Sequence, residues 1–304
     1  MTPPPPPLAR FLDLWGLQLV GRPSGGSREI YPGTGEVAFV TRGGAPLVLK
    51  TMPAATDEAR SGAVLAHWDG LGAVRLVEQA PGAVLIERAM PGEDLSAMVK
   101  AGEDDAATDI LCAVMAKLDR PAPAGAPFRT VADWGGGFAR NRAAAIALGV
   151  DAALIDRAAG VFDDLCRTQA PAIVLHGDLQ HYNVVRDRRR GWLAIDPKGV
   201  LGEGAYETGA MLRNPNADPS LCADPAIIER RARRLCARLG HPYDRVIGWC
   251  FSQWMLAVLW AIEDHLPYAP DWLQGPLAAQ ALLRESSLPL VGRDRPRSGQ
   301  GGGV

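Results

Sequence analysis

The sequence predicts an α+β fold of two lobes, a small antiparallel β-rich lobe followed by a larger helical one. Three observations carry this. Up to about residue 89, short apolar runs rich in β-branched residues alternate with Gly- and Pro-containing turns. From residue 93 onward, apolar residues recur at helical spacing. The helical half is interrupted by strand signals in one place, between Val174 and Asp196.

Taken in order, Leu8, Phe11, Leu12, Leu14, Trp15 and Leu17 open the fold with a short amphipathic helix. Residues 28–31, the turn Pro32-Gly33-Thr34-Gly35 and residues 36–40 read as strand, turn and strand. After the Gly43-Gly44 turn, Leu47-Val48-Leu49-Lys50 is a third strand. Its terminal lysine can be an edge residue with its ammonium in water, or a cation placed to meet phosphate. Asp57 to Trp68 follows as a helix, with Ala59, Ala63, Val64, Leu65 and Trp68 on one side. Residues 74–78 and 83–88 add two strands around Pro81-Gly82, and residues 89–92 form a connector. Helices are then expected near 93–101, 105–119, 133–147, 151–169, 203–213, 224–239, 244–265 and 272–285. The lobes divide as 1–89 and 90–295, with residues 1–7 a disordered proline-rich tail and 296–304 a flexible glycine-rich end.

Composition bounds the function. A chain of 304 residues, 47% hydrophobic and 22% charged, suits a soluble globular protein with a sizeable core. A net charge of −2 lacks the basic face that nucleic acid requires. The cluster Arg230, Arg231, Arg233, Arg234 and Arg238 reads as a solvated helix face. Five scattered cysteines without C-x-x-C spacing point to free thiols in a reducing compartment. No apolar run reaches the ~20 residues of a membrane span, and the proline-rich start is not a secretory signal. The expectation is a cytoplasmic protein whose partner is a small molecule, not a nucleic acid or a membrane.

The chemistry concentrates in Val174-Leu175-His176-Gly177-Asp178-Leu179-Gln180-His181-Tyr182-Asn183 and the following Gly191-Trp192-Leu193-Ala194-Ile195-Asp196. A buried strand end, a polar loop and two short strands would bring Asp178, Asn183 and Asp196 into one pocket. Two carboxylates and an amide oxygen suit a hard divalent ion such as Mg²⁺. Alone, the Asp-x-x-x-x-Asn spacing favours a capped turn. The histidine, the glycine, the flanking strands and Asp196 favour a catalytic loop.

A meander ending in lysine, a helix carrying acids, two strands, a connector and then H-G-D-x-x-x-x-N with a later aspartate resembles the protein-kinase-like fold. Gly177 stands where protein kinases carry arginine, and Asp196-Pro197-Lys198-Gly199 replaces D-F-G. That variant resembles the aminoglycoside phosphotransferases. Residues 191–199, Gly202-Glu203 and Leu212-Arg213-Asn214-Pro215 are similar to their streptomycin 6-kinase and hydroxyurea phosphotransferase branch, most strongly over 172–215.

The resemblance implies an O-phosphotransferase using ATP and Mg²⁺. Asn183 and Asp196 would hold the metal, Lys50 would contact the α- and β-phosphates, and Asp178 would accept the proton of the attacking hydroxyl. Glu58, with Asp57 as second choice, would pair with Lys50. Gly33, Thr34 and Gly35 either cover the phosphates with backbone amides or form a plain hairpin turn. Adenine would bond the connector backbone near Glu87, Arg88 and Ala89. His176 would bond the loop backbone and brace Asp196, while His181 reads as a surface histidine. Lys198 either approaches phosphate or substrate, or faces solvent. For a polycationic acceptor the candidate acids are Glu203, Glu207, Glu263 and Asp264, and the nearby Trp254 and Trp260 read as core. Streptomycin is the acceptor by resemblance, with a different small alcohol or a hydroxylamine as the alternative. A non-catalytic nucleotide-binding regulator is disfavoured, because mere binding does not require Asp178.

Overall fold

The computed structural model describes residues 7–23, 35–53, 57–215 and 219–285. Helix α1 (Leu8–Trp15) buries Leu8 and Phe11 and stops at Gly16, whose left-handed φ of 60° suits glycine. Strands β1 (Gln18–Gly21), β2 (Val37–Arg42) and β3 (Ala45–Thr51) follow, then helix α2 (Ser61–Trp68) and strands β4 (Leu76–Ala80) and β5 (Ala83–Glu87). They form one antiparallel sheet in the order β1-β2-β3-β5-β4. The expected strand over 28–31, and Gly33 and Thr34 of the expected turn, lie outside the described residues. Asp57 to Arg60 is a 3-10 turn leading into α2, so the helix starts later than its sequence suggests.

The period of β3 sets the orientation of its lysine. Leu47 and Leu49 point to one face, where they join Phe11, Ala38, Val40 and Leu85 in a small core beneath α1. Val48 and Lys50 therefore point to the other face, and Val48 meets the main core shared with the helical half. One register step would turn Lys50 away from the rest of the molecule.

The chain continues through β6 (Pro91–Asp94), α3 (Ser96–Lys100), α4 (Asp104–Leu118), β7 (Arg129–Thr130), α5 (Val131–Ala147) and α6 (Ala152–Arg167). Then come β8 (Ile173–Leu175), β9 (Val184–Asp187), β10 (Gly191–Ala194), β11 (Val200–Gly202), α7 (Glu207–Leu212), α8 (Pro219–Cys222), α9 (Pro225–Leu239), α10 (Tyr243–Glu263) and α11 (Gln274–Glu285). Two three-stranded sheets, β10-β9-β6 and β7-β11-β8, frame the polar loops. β8 ends just before His176 and β9 begins just after Asn183. β10 ends before Ile195-Asp196 and β11 begins after Gly199. Both loops are thus held by strands at each end.

Two expectations are corrected. Helix α10 is long and apolar enough to cross a bilayer by length and composition, with a mean hydropathy of 1.4 over its most apolar window. It packs against α5, α6, α7 and α11, and 78% of that window is buried within the fold, so here it is the core helix of the helical lobe. The arginines of α9 are not simply solvated. Arg231 is 2% exposed and grips Asp104 of α4 at 2.6 Å, while Arg234 and Arg238 share Asp109 at 2.6 and 2.8 Å. The five cysteines are free thiols.

Candidate active site

The loop after β8 is built around a neutral histidine. His176 Nδ1 accepts from the Asp178 N–H at 3.2 Å, which leaves Nε2 to donate to the Ile195 carbonyl at 2.8 Å. Burial pushes the His176 pKa down to about 4, so the ring holds this tautomer without charge. The backbone N–H of Lys198 returns a bond to the His176 carbonyl at 2.8 Å, which locks the two polar loops together. His176 thus braces the residue before Asp196. His181, expected at the surface, is instead fully buried, and its neutral ring lies near Asp104 and Arg231.

Gly177 explains its own identity. Its φ of +83° is left-handed, and an added Cβ would stand 2.6 Å from the Trp134 ring. The arginine of protein kinases has no room here. Trp134 meets Trp260 edge-on at 5.8 Å, so that tryptophan is core, as expected.

Asp178 is held from both sides. Asn183 Nδ2 donates to its Oδ2 at 3.1 Å and to its backbone carbonyl at 2.8 Å. Arg213 Nη2 donates to Oδ1 at 3.0 Å. With its amide nitrogen committed, Asn183 keeps its amide oxygen as the group available to a cation.

Next to this stands a cluster of four charges contributed by both lobes. Lys50 Nζ pairs with Glu58 Oε2 at 2.9 Å and also with Asp196 Oδ1. Lys198 Nζ pairs with the other oxygen of Glu58 at 2.7 Å and lies 3.6 Å from Asp196 Oδ2. Burial opposes ionisation of Asp196, yet Lys50 and Lys198 hold it well below the usual carboxylate range. Burial likewise works against the Lys198 ammonium, but Asp196 and Glu58 raise its pKa above that of an ordinary lysine. Asp196 itself adopts φ +60°, a conformation sparsely used outside glycine and kept here by the bonds of its neighbours. Gly35 at the mouth of β2 is also left-handed, and a Cβ there would collide with the Thr51 carbonyl.

The remaining candidates divide. Glu87 is tied through its side chain to Arg190, with Arg75 at 3.7 Å, and Ala89 packs at the edge of the main core. Glu203 is 3% exposed and accepts from Trp249 Nε1 and Arg245 Nη2, each at 2.6 Å, so it braces α10 and presents nothing to an acceptor. Glu207 is also turned inward, taking the Gly177 N–H on Oε1 at 2.8 Å. Glu263 is held by Asn141 at 2.9 Å and Arg140 at 3.2 Å, and exposed Asp264 caps the end of α10. Among the described residues neither is hydrogen-bonded or ion-paired to Asp178, Asn183 or Asp196. A cavity of about 390 Å³ between α6 and α11 shares no residue with the charged cluster.

Sequence reasoning missed Arg213, the partner of Asp178. Its signal was an arginine directly after the apolar run of α7, inside the Leu-Arg-Asn-Pro motif.

Residues 31–265 match the family described as aminoglycoside/hydroxyurea antibiotic resistance kinase. A streptomycin 3''-kinase of Klebsiella pneumoniae is 34% identical over 229 residues, 74% of this chain and 83% of that protein. A streptomycin 6-kinase of Streptomyces glaucescens is 28% identical over 261 residues, 84% of this chain and 81% of that protein. Among solved structures, a thermostable mutant of an aminoglycoside phosphotransferase, in ternary complex with ADP and hygromycin B, superposes with a TM-score of 0.59. It shares 15% identity over 92% of this chain and 98% of its own. The fold is protein-kinase-like.

Proposed function

Since the chain belongs to the aminoglycoside/hydroxyurea antibiotic resistance kinases, we propose that it transfers the γ-phosphoryl group of ATP to a hydroxyl of a streptomycin-type aminoglycoside. The observation that carries this reading is the position of Asp178. It is fixed by Asn183 on one side, in a loop locked through His176 to the loop that bears Asp196. The similarity to two streptomycin kinases supports the acceptor class.

In the proposed reaction the acceptor oxygen forms a bond to the γ-phosphorus as the bond to the β-phosphate oxygen breaks. ADP leaves with that electron pair, and the hydroxyl proton passes to Asp178 and then to solvent. Asp178 acts by its position. Lys50, paired with Glu58, would meet the α- and β-phosphates, and Lys198, bound to the other oxygen of Glu58, would add a second cation for the triphosphate.

The residues present fit Mg²⁺. Asp196 and the free amide oxygen of Asn183 form a small hard-oxygen set of the kind Mg²⁺ takes from a protein when triphosphate and water complete its shell. No group of three or more His, Cys, Asp or Glu among the described residues would hold a metal without the nucleotide. Bound there, the ion would neutralise charge on the phosphates as the transfer proceeds. Asp196 Oδ1 is taken by the Lys50 ammonium, so that oxygen would become available to a metal only if this pair parted.

An acceptor panel with ATP and Mg²⁺, read by mass spectrometry, tests the proposal. Streptomycin gaining one phosphate group is the expected result. Phosphate on hydroxyurea alone would assign the chain to the other acceptor of its family, and no phosphorylated acceptor at all would overturn the reading.

A further inference from the structure

We propose that Arg213 is a positioning residue for the phosphoryl transfer, and that α7 is the clamp that holds the proton acceptor in register. This rests on the reading of Asp178 as that acceptor. The observation is that one six-residue helix grips the catalytic loop from both of its ends. At its start, Glu207 takes the Gly177 N–H at 2.8 Å. At its C-cap, Arg213 donates to Asp178 Oδ1 at 3.0 Å.

The helix is a rigid support. All six of its residues are buried, and Gly209 lies so close to Gln253 of α10 that a Cβ would come within 2.5 Å of its amide. Past its end, Asn214 donates to the Ala210 carbonyl at 2.9 Å, and Arg231 donates to the Asn214 carbonyl at 2.7 Å. Arg231 is itself buried on Asp104. Thus Arg213 projects from a segment fixed to α4, α9 and α10, and it is 18% exposed beside a carboxylate that is 27% exposed. The guanidinium meets the carboxylate through one bond, Nη2 to Oδ1, and what fixes that bond is the buried segment from which Arg213 projects.

The two bonds to Asp178 divide its work. Arg213 takes Oδ1 and Asn183 takes Oδ2 from one side, so the carboxylate cannot rotate and its remaining lone pairs face a fixed direction. The O–H proton of the attacking group passes to Asp178 as oxygen bonds to phosphorus and ADP departs. A carboxylate free to rotate would spend little time aligned for that transfer. Misplacement by about 1 Å at such a site costs on the order of 100-fold in rate.

The test compares Arg213→Met and Arg213→Lys with the unaltered enzyme, using two phosphoryl acceptors. One is streptomycin; the other is water, read as slow ATP hydrolysis without an added alcohol, which needs no knowledge of the natural acceptor. The expected result is a fall in kcat of about 100-fold for Arg213→Met with both acceptors, and a smaller fall for Arg213→Lys. The KM for ATP and the calorimetric affinity for ADP stay within about twofold of the unaltered enzyme, a split that general structural damage would not give. Arg213→Met with undiminished kcat, or a raised KM for streptomycin at unchanged kcat, would overturn the proposal. If streptomycin is not phosphorylated at all, the acceptor reading fails, and the hydrolysis rates still decide the role of Arg213.

Discussion

Lys198 Nζ donates to Glu58 Oε1 at 2.7 Å, joining the loop after β10 to the turn that precedes α2 across 140 positions of sequence. With Lys50 on the other oxygen, Glu58 serves two lysines, and Asp196 stands next to both. Two cations and two anions balance within one part-buried cluster, so the cleft carries no net charge from them before nucleotide arrives. A triphosphate adds negative charge to a place where two ammonium groups, here paired with Glu58 and Asp196, can turn toward it.

Replacing Lys198 by Met is expected to weaken Mg²⁺-dependent ATP binding by about tenfold or more, the scale of one lost charge-assisted hydrogen bond. Titration calorimetry at fixed magnesium measures it. Unchanged affinity and turnover would make Lys198 a counter-ion of Glu58 and nothing more.

Glu207 gives a pH dependence. Burial pushes its pKa from an ordinary 4.5 up to about 7, against the opposing hydrogen bond from Gly177. The folded protein therefore holds this proton over a range where the unfolded chain has lost it. The contribution to stability is fully present below about pH 4.5 and is lost as pH rises through about 7. Glu207→Gln should remove that slope, by at most about 3 kcal/mol. Urea unfolding of both proteins across this range checks it; identical pH profiles would mean Glu207 titrates normally.

The Asp104–Arg231 pair supports the clamp from outside the site. Arg231→Ala leaves a buried carboxylate beside exposed Arg230 alone, and should cost about 3–5 kcal/mol of stability. The double variant Asp104→Leu with Arg231→Met should recover most of that loss, because replacing both charges by apolar groups removes the unpaired ion. Denaturant midpoints of the two variants make the comparison. A single variant within about 1 kcal/mol of the original would show that the pair contributes little.

The helical lobe was readable because its helices are amphipathic or apolar over long stretches. The segment expected at 151–169 is Ala152–Arg167, and that expected at 224–239 is Pro225–Leu239. Strand β6 was hidden, since Pro91-Gly92 reads as a connector and becomes a strand only by pairing with β9. That the loop of Asp178 and Asn183 adjoins the loop of Asp196 was legible from their spacing and flanking strands. The direction of Glu203 and Glu207 was not, because Arg245, Trp249 and Gly177, which draw them inward, lie 30 or more positions away. The same distance hid Arg213, whose bond to Asp178 spans 35 positions. His181 was misread because nothing local shows that it is buried near the Asp104–Arg231 pair.

The most direct measurement is the turnover of Asp178→Ala with ATP, Mg²⁺ and streptomycin, taken together with its nucleotide affinity by calorimetry. A proton acceptor at this position predicts a fall in kcat of about 10²–10⁴-fold while ATP and ADP bind as before. Turnover equal to that of the unaltered enzyme would contradict the account.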